Sequence, residues 1–335
     1  ASINYQTPAM RLDTTRSQAL FPPHGGAAQP VAGDQRTVID VSGKFAWTEG
    51  NEATPNPGAV GDRLRQLWAT PHGVIKAAIA NNGTLNGKDV TFTVEGREVK
   101  ATLNDQNLVE KVSYLTTNEV IGDYPIEITY SDYADYNGVK FPSHIVQTED
   151  GHPTLDIAIR EVKPNAPVAI DAPANVQNAP PPPEKPMVQV DKLADGVWYF
   201  NAAGARSWAV EFKDYVVAVE GITGEARSLA VNEAIAQTIP NKPIKYVVNT
   251  HAHYDHAGGL RTYVAQGITV ITQETNKPFF EQAWARPRTI APDLLAKEPK
   301  PPMFETVADK KVITDGNQTL EIYRMQNSGH NGANM

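Results

Sequence analysis

Apolar and polar residues alternate through much of the first 162 positions. Val90, Phe92 and Val94 alternate with Thr91 and Thr93, Glu95-Gly96-Arg97 supplies a turn, and Val99, Ala101 and Leu103 resume the rhythm. A two-residue period puts one set of side chains on one face of a strand. Asn137-Gly138 and Glu149-Asp150-Gly151 mark two further hairpins. One stretch keeps helical spacing instead, with Val74, Ile75, Ala78 and Ile79 on a stripe. Thr70-Pro71 offers a cap and a first helical position, and Asn81-Asn82-Gly83 a stop. The pattern predicts a curved antiparallel sheet with one helix against it.

The rhythm stops between Lys163 and Met187, where eight of 25 residues are proline and none is aromatic. Such a segment favours extended backbone and is expected to act as a semi-rigid spacer without a core of its own. Beyond it the pattern changes. Val197 to Phe200, Trp208 to Phe212, Tyr215 to Val219 and Ile244 to Val248 read as strands. Thr223 is placed to cap a helix with the stripe Val231, Ala234, Ile235 and Ile239. Gly258 to Ala265 and Thr275 to Ala285 read as helices around a strand at Ile268 to Ile271. The expected fold class is α+β, with a β-rich domain over 1–162, a linker over 163–187, and stacked sheets flanked by helices over 188–335.

Composition narrows the function classes. Hydrophobic residues make up 41% of the 335 and charged ones 20%, with a net charge of -8, as in a globular protein. The acidic balance argues against a nucleic-acid partner, which needs clustered Lys and Arg. No run reaches the 18 or so apolar residues of a membrane span. Cysteine is absent, so disulfides, thiolate ligands and cysteine nucleophiles are excluded together. The chain begins with Ala1 and no leader precedes it, which fits a removed secretion signal and a periplasmic or extracellular location.

The candidate chemistry lies directly after the strand Ile244 to Val248. His251, His253, Asp255 and His256 place four nitrogen or oxygen donors within six residues, in a chain with eight histidines. Imidazole and carboxylate are the usual nitrogen and oxygen ligands of zinc. Residues two apart in extended backbone point the same way, so the rings of His251 and His253 are expected to converge. Gly258-Gly259 is expected to permit the tight backbone path that brings Asp255 and His256 to the same point. Asn249 and Thr250 stand where they can either orient a ligand or cap the strand end. The other histidines, including His24, His72, His144 and His152, have no partner at ligand spacing.

The run Asn249-Thr250-His251-Ala252-His253-Tyr254-Asp255-His256-Ala257-Gly258-Gly259 resembles the HxHxDH signature of the metallo-β-lactamase superfamily. The resemblance covers the chain from about Lys192 onward, and it implies an αββα fold. By resemblance, His251, His253 and a third histidine bind one zinc, while Asp255 and His256 hold a second. His330, 79 residues past His251 and after the strand-like Leu320 to Arg324, fits the third position. The family's bridging carboxylate and last histidine have no counterpart before Met335, and only 148 residues follow the linker. The resemblance therefore implies an incomplete fold, cut short at its C-terminus. The lack of cysteine brings the pattern closer to glyoxalase II, lactonases and cysteine-free lactamases.

What the resemblance implies is metal-assisted hydrolysis of a small ester, lactone, thioester or lactam. Zinc lowers the pKa of a bound water from near 16 to about 7, and Asp255 would orient or deprotonate that nucleophile. The same donors accept iron or manganese. The alternative function is a binding or assembly protein that keeps the fold without catalysis. Ser131-Asp132-Tyr133-Ala134-Asp135-Tyr136-Asn137-Gly138-Val139-Lys140-Phe141-Pro142 resembles the strand-turn-strand element of lipoprotein-carrier-like sheets of the bacterial periplasm. That resemblance implies an envelope partner or a homo-oligomer contact through the N-terminal domain.

Overall fold

The computed structural model of the chain describes residues 1–17, 33–181, 183–326 and 333–335. These fall into two compact units, one up to residue 181 and the other from residue 183 onward together with Thr117–Asp123. Each has its own sheets and core.

The first unit holds two antiparallel sheets. One is built in chain order from β1 (Ser2–Asn4), β2 (Ala9–Arg16), β3 (Gln35–Ser42), β4 (Phe45–Thr48) and β5 (Thr54–Pro55). Two helices follow, α1 (Val60–Ala69) and α2 (Pro71–Ala80). The second sheet is a seven-stranded meander of β6 (Thr84–Asn86), β7 (Asp89–Val94), β8 (Arg97–Leu103), β9 (Val109–Asn118), β10 (Gly122–Tyr136), β11 (Val139–Glu149) and β12 (His152–Ala158). At Glu95-Gly96, Asn137-Gly138 and Asp150-Gly151 both turn residues take positive φ, the geometry that matches the twist of a tight hairpin. The sequence pattern placed all three.

The α2 stripe lands on this sheet, with Val74, Ala77 and Ala78 packed against Val90, Phe92, Val99, Ala101, Val112, Ile126 and Ile128. Two details differ from expectation. Ile79 is 76% exposed and faces solvent. The Thr70 hydroxyl donates backward to Leu67 O at 2.7 Å instead of capping α2, because α1 ends there and leaves a carbonyl to satisfy.

The proline-rich segment needs a larger correction. It was expected to add nothing to a core, yet Val168, Ile170, Ala172 and Val176 pack against Ala9 and Trp47. Extended backbone sends every second side chain the same way, so Val168, Ile170 and Ala172 share a face. The short helix α3 (Ala174–Gln177) then brings in Val176.

In the second unit, β13 (Val188–Ala194), β14 (Val197–Ala202), β15 (Ala205–Glu211) and β16 (Val216–Val219) form an antiparallel run. β17 (Ile244–Val248), β18 (Thr269–Gln273) and β19 (Phe304–Val307) then extend the same sheet in parallel. Helix α4 (Glu225–Thr238) connects β16 to β17. The pair α5 (Tyr254–Ala257) and α6 (Leu260–Ala265) precedes β18, and α7 (Asn276–Trp284) and α8 (Leu294–Lys297) precede β19. One face of the sheet is covered by these helices through Val231, Ile235, Leu260, Tyr263 and Phe280. The other packs Val217, Val248 and Ile271 against Ile313 and Ile322 of the hairpin β20 (Lys310–Thr314) and β21 (Thr319–Tyr323). Because β16, β17 and β18 are parallel, the loops that leave their C-terminal ends gather along one edge, the usual place for a site in such sheets. The chain is thus α+β, mostly sheet with few helices.

Candidate metal centre

β17 is buried at Val247 and Val248 and delivers Asn249, fully buried, to the sheet edge. The Asn249 side chain holds the next loop in shape. Its amide donates to His251 O at 2.7 Å and to His256 O at 3.3 Å, and its oxygen accepts from Thr272 Oγ1 at 3.3 Å. Asn249 therefore shapes the loop through its backbone. Thr250 acts on a ring instead: its hydroxyl lies 3.0 Å from His251 Nδ1.

The loop then turns into α5 and brings three of the sequence candidates together. One donor atom from each of His251, Asp255 and His256 lies within 4.8 Å of the others. Asp255 Oδ2 is 3.5 Å from His256 Nε2. The His251 and His256 ring centroids are 4.1 Å apart, and His253 stands edge-on to His251 at 4.7 Å. His251 is buried, whereas Asp255 is exposed, so the group opens to solvent on the carboxylate side. His330 and His24 lie outside the described residues. His144 pairs with Asp156 at 2.7 Å, and His72 contacts Lys140 O at 3.0 Å. Among the described residues no second group of three donors forms.

Gly258 and Gly259 are needed, but for a different reason than the expected backbone freedom. Both have ordinary helical φ, -60° and -98°. A Cβ on Gly258 would sit 2.4 Å from Thr223 O, and one on Gly259 would sit 2.0 Å from Ser228 Oγ and 3.1 Å from Gly221 O. The glycines let the loop after β16 press against the start of α6.

That loop supplies a residue that sequence reasoning missed. Glu220 is 2% exposed, directly after β16, with φ at +74°. Its Oε1 accepts from Thr250 N at 3.3 Å, and its Oε2 lies 3.3 Å from His256 Nδ1. Neither of these last two atoms has an aligned hydrogen bond. The Glu220 carboxylate next to its ring raises the His256 pKa above its ordinary value, against the burial that lowers it, with help from the charge of Asp255. A signal was present: Val216-Val217-Ala218-Val219 is a buried strand ending in a carboxylate before Gly221. An acid in that place needs a buried partner.

Residues 209–333 match the family model described as the metallo-beta-lactamase superfamily. No curated protein matches the chain. Among solved structures, it is similar to the metallo-beta-lactamase FIM-1 from Pseudomonas aeruginosa in its mono-zinc form, at 23% identity and a TM-score of 0.27, over 31% of this chain and 50% of that one. It is also similar to a metallo-beta-lactamase from Pontibacter korlensis, at 25% identity and a TM-score of 0.30, over 41% of this chain and 60% of that one. The chain thus spans between half and three fifths of the length of these two. The metallo-beta-lactamase superfamily is thus what the part of this chain carrying the histidine loop, residues 209–333, is similar to.

Proposed function

We propose that the second unit is a metal-dependent hydrolase that binds zinc through His251, His253, Asp255 and His256 and acts on a small ester, lactone, thioester or lactam. The observation that carries this reading is the convergence of His251, Asp255 and His256 donor atoms within 4.8 Å at the end of a parallel strand. His330 is included as a further ligand on its place in the sequence alone.

The residues fit such an ion. Nitrogen and oxygen donors with no thiolate suit zinc, and equally iron or manganese. The unaligned buried pair Glu220 Oε2 and His256 Nδ1 also fits, because a ligating histidine commonly gives its other N–H to a carboxylate. When bound, the ion supplies Lewis acidity and brings the pKa of a coordinated water down to about 7. The chain supplies the rest. Thr250 Oγ1, 3.0 Å from His251 Nδ1, and Glu220 Oε2, 3.3 Å from His256 Nδ1, orient the two rings. Asp255, on the open side, orients the attacking water and takes its proton on a carboxylate oxygen.

The test is turnover by the zinc-loaded chain on a panel of nitrophenyl esters, thioesters, lactones and β-lactams. The expected result is hydrolysis of at least one class, lowered about 10²- to 10⁴-fold in kcat by Asp255→Asn, the usual worth of a positioned general base. A zinc-loaded chain that turns over none of them contradicts the reading.

A further inference from the structure

The meander belongs to the first unit up to Thr116 and again from Tyr124, but Thr117–Asp123, where β9 turns into β10, belongs to the second. Val120 is 3% exposed and lies in the second unit's main core with Val231, Leu260 and Phe280, and Ile121 packs against the same core. Polar anchors bracket these two apolar residues. On one side Asn118 Oδ1 accepts from Val120 N at 2.8 Å, and Asn118 O accepts from Arg288 Nη1 at 2.8 Å. The Arg288 side chain is 7% exposed and lies 3.3 Å from buried Asp293, which also holds Arg261 of α6. On the other side Asp123 N donates to Pro287 O at 2.9 Å, while Asp123 Oδ2 accepts from Thr289 N at 2.6 Å and Thr289 Oγ1 at 2.8 Å. Gly122 between them has φ +76°, and a Cβ there would sit 2.9 Å from Pro287 O. Apolar burial at the centre and buried hydrogen bonds at both ends make this segment a core element of the second unit.

We infer that Thr117–Asp123 is a coupling strap: the second unit reaches its full stability only while the meander of the first unit is folded. The strands that hold the strap in shape are β9 and β10, and the meander's core keeps them paired. When those strands unfold, the strap regains conformational freedom, and keeping it seated costs the backbone entropy of every residue in it. If it leaves instead, Val120 vacates a packed core and Arg288 loses the carbonyl that satisfies its buried guanidinium. By either route, loosening the first unit lowers the stability of the second.

The experiment is hydrogen exchange read by mass spectrometry on the full chain. Phe92→Ala opens the first unit's core, where Phe92 is 4% exposed among Val90, Val99 and Val112. The reporters are β7 and β8 in the first unit and β14 and β15 in the second. The expected result is exchange about 100-fold faster in β7 and β8, as truncating a buried aromatic side chain gives, and at least about tenfold faster in β14 and β15. In a chain that also carries Val120→Ala and Asp123→Ala, the added Phe92→Ala should change β14 and β15 by less than about threefold. If β14 and β15 stay within about twofold of wild type while β7 and β8 open, the strap does not couple the units and the inference is overturned. An equal rise with and without the strap substitutions also overturns it. Should Phe92→Ala fail to fold, Val99→Ala makes a smaller deletion in the same core and is read the same way. Loss of protection in β14 and β15 from the strap substitutions alone, with β7 and β8 still protected, supports the strap as part of the second unit's core.

Discussion

Glu220, directly after β16, and Asp40, in β3, are both buried carboxylates where a hydrophobic pattern expects apolar side chains. Glu220 keeps a left-handed backbone, φ +74°, which is costly for any residue with a Cβ and persists where surrounding contacts hold it. Those contacts are Thr250 N and the His256 ring, both on the loop after the neighbouring parallel strand. The spacing of His251, His253, Asp255 and His256 was legible because the residues are local in the chain. Glu220 was not, because its partners lie 30 or more residues away and meet it only through strand pairing. Asp40, in β3, is 1% exposed, and its Oδ2 has no hydrogen bond. Burial, reinforced by the charge of Glu49 and opposed by Arg11, pushes its carboxyl up to about 6. The unfolded value is 3.8, so the folded state holds the extra proton between these limits. Stability from this group is complete below pH about 4 and is lost as pH rises toward 6, with a slope of up to about 1.4 kcal/mol per pH unit. Asp40→Asn should remove that slope from urea unfolding of the N-terminal unit between pH 4 and 7. Identical slopes in variant and wild type would contradict this.

At the scale of elements, apolar stripes were readable only where burial was apolar. α4 followed from Val231, Ala234, Ile235 and Ile239, and its core residues Val231 and Ile235 are fully buried. α1 was missed because its inner face includes Arg63, a residue counted as surface by any hydrophobic pattern. The Arg63 guanidinium donates to Asp40 O at 2.7 Å and Trp47 O at 2.6 Å, stitching α1 to β3 and β4. A similar buried charge ties α6 to α8. Asp293 accepts from Arg261 at 2.5 and 3.0 Å, lies 3.3 Å from Arg288, and caps α8 through Ala296 N at 2.8 Å. Burial alone would raise the Asp293 carboxyl, but the hydrogen bond and charge of Arg261, the Ala296 amide and Arg288 hold it below its ordinary value. Removing one member leaves uncompensated buried charge. Asp293→Ala should therefore destabilise the second unit by about 3–5 kcal/mol in chemical denaturation. A loss under about 1 kcal/mol would show that the two arginines find water instead.

For the whole molecule, the sequence pattern conveyed the class α+β, the meander, and the change to strand-helix units after the prolines. It did not convey the first five-stranded sheet, whose β2 ends in the exposed run Asp13 to Arg16 and whose β1 and β5 have three and two residues. Strands that short and that polar carry no period to read. It also undervalued the proline-rich segment, since proline fixes the backbone without deciding what Val168, Ile170 and Ala172 touch. Among the described residues no helix is long and apolar enough to cross a membrane. The function of the second unit turns on whether the loop after β17 holds a metal ion. The most direct measurement is elemental analysis of the chain after zinc loading and gel filtration, comparing wild type with His251→Ala and with the surface control Glu233→Gln. The expected result is one or more zinc ions retained per chain in wild type and in the control, and zinc lost from His251→Ala. Zinc absent from wild type, or retained equally by His251→Ala, would contradict it.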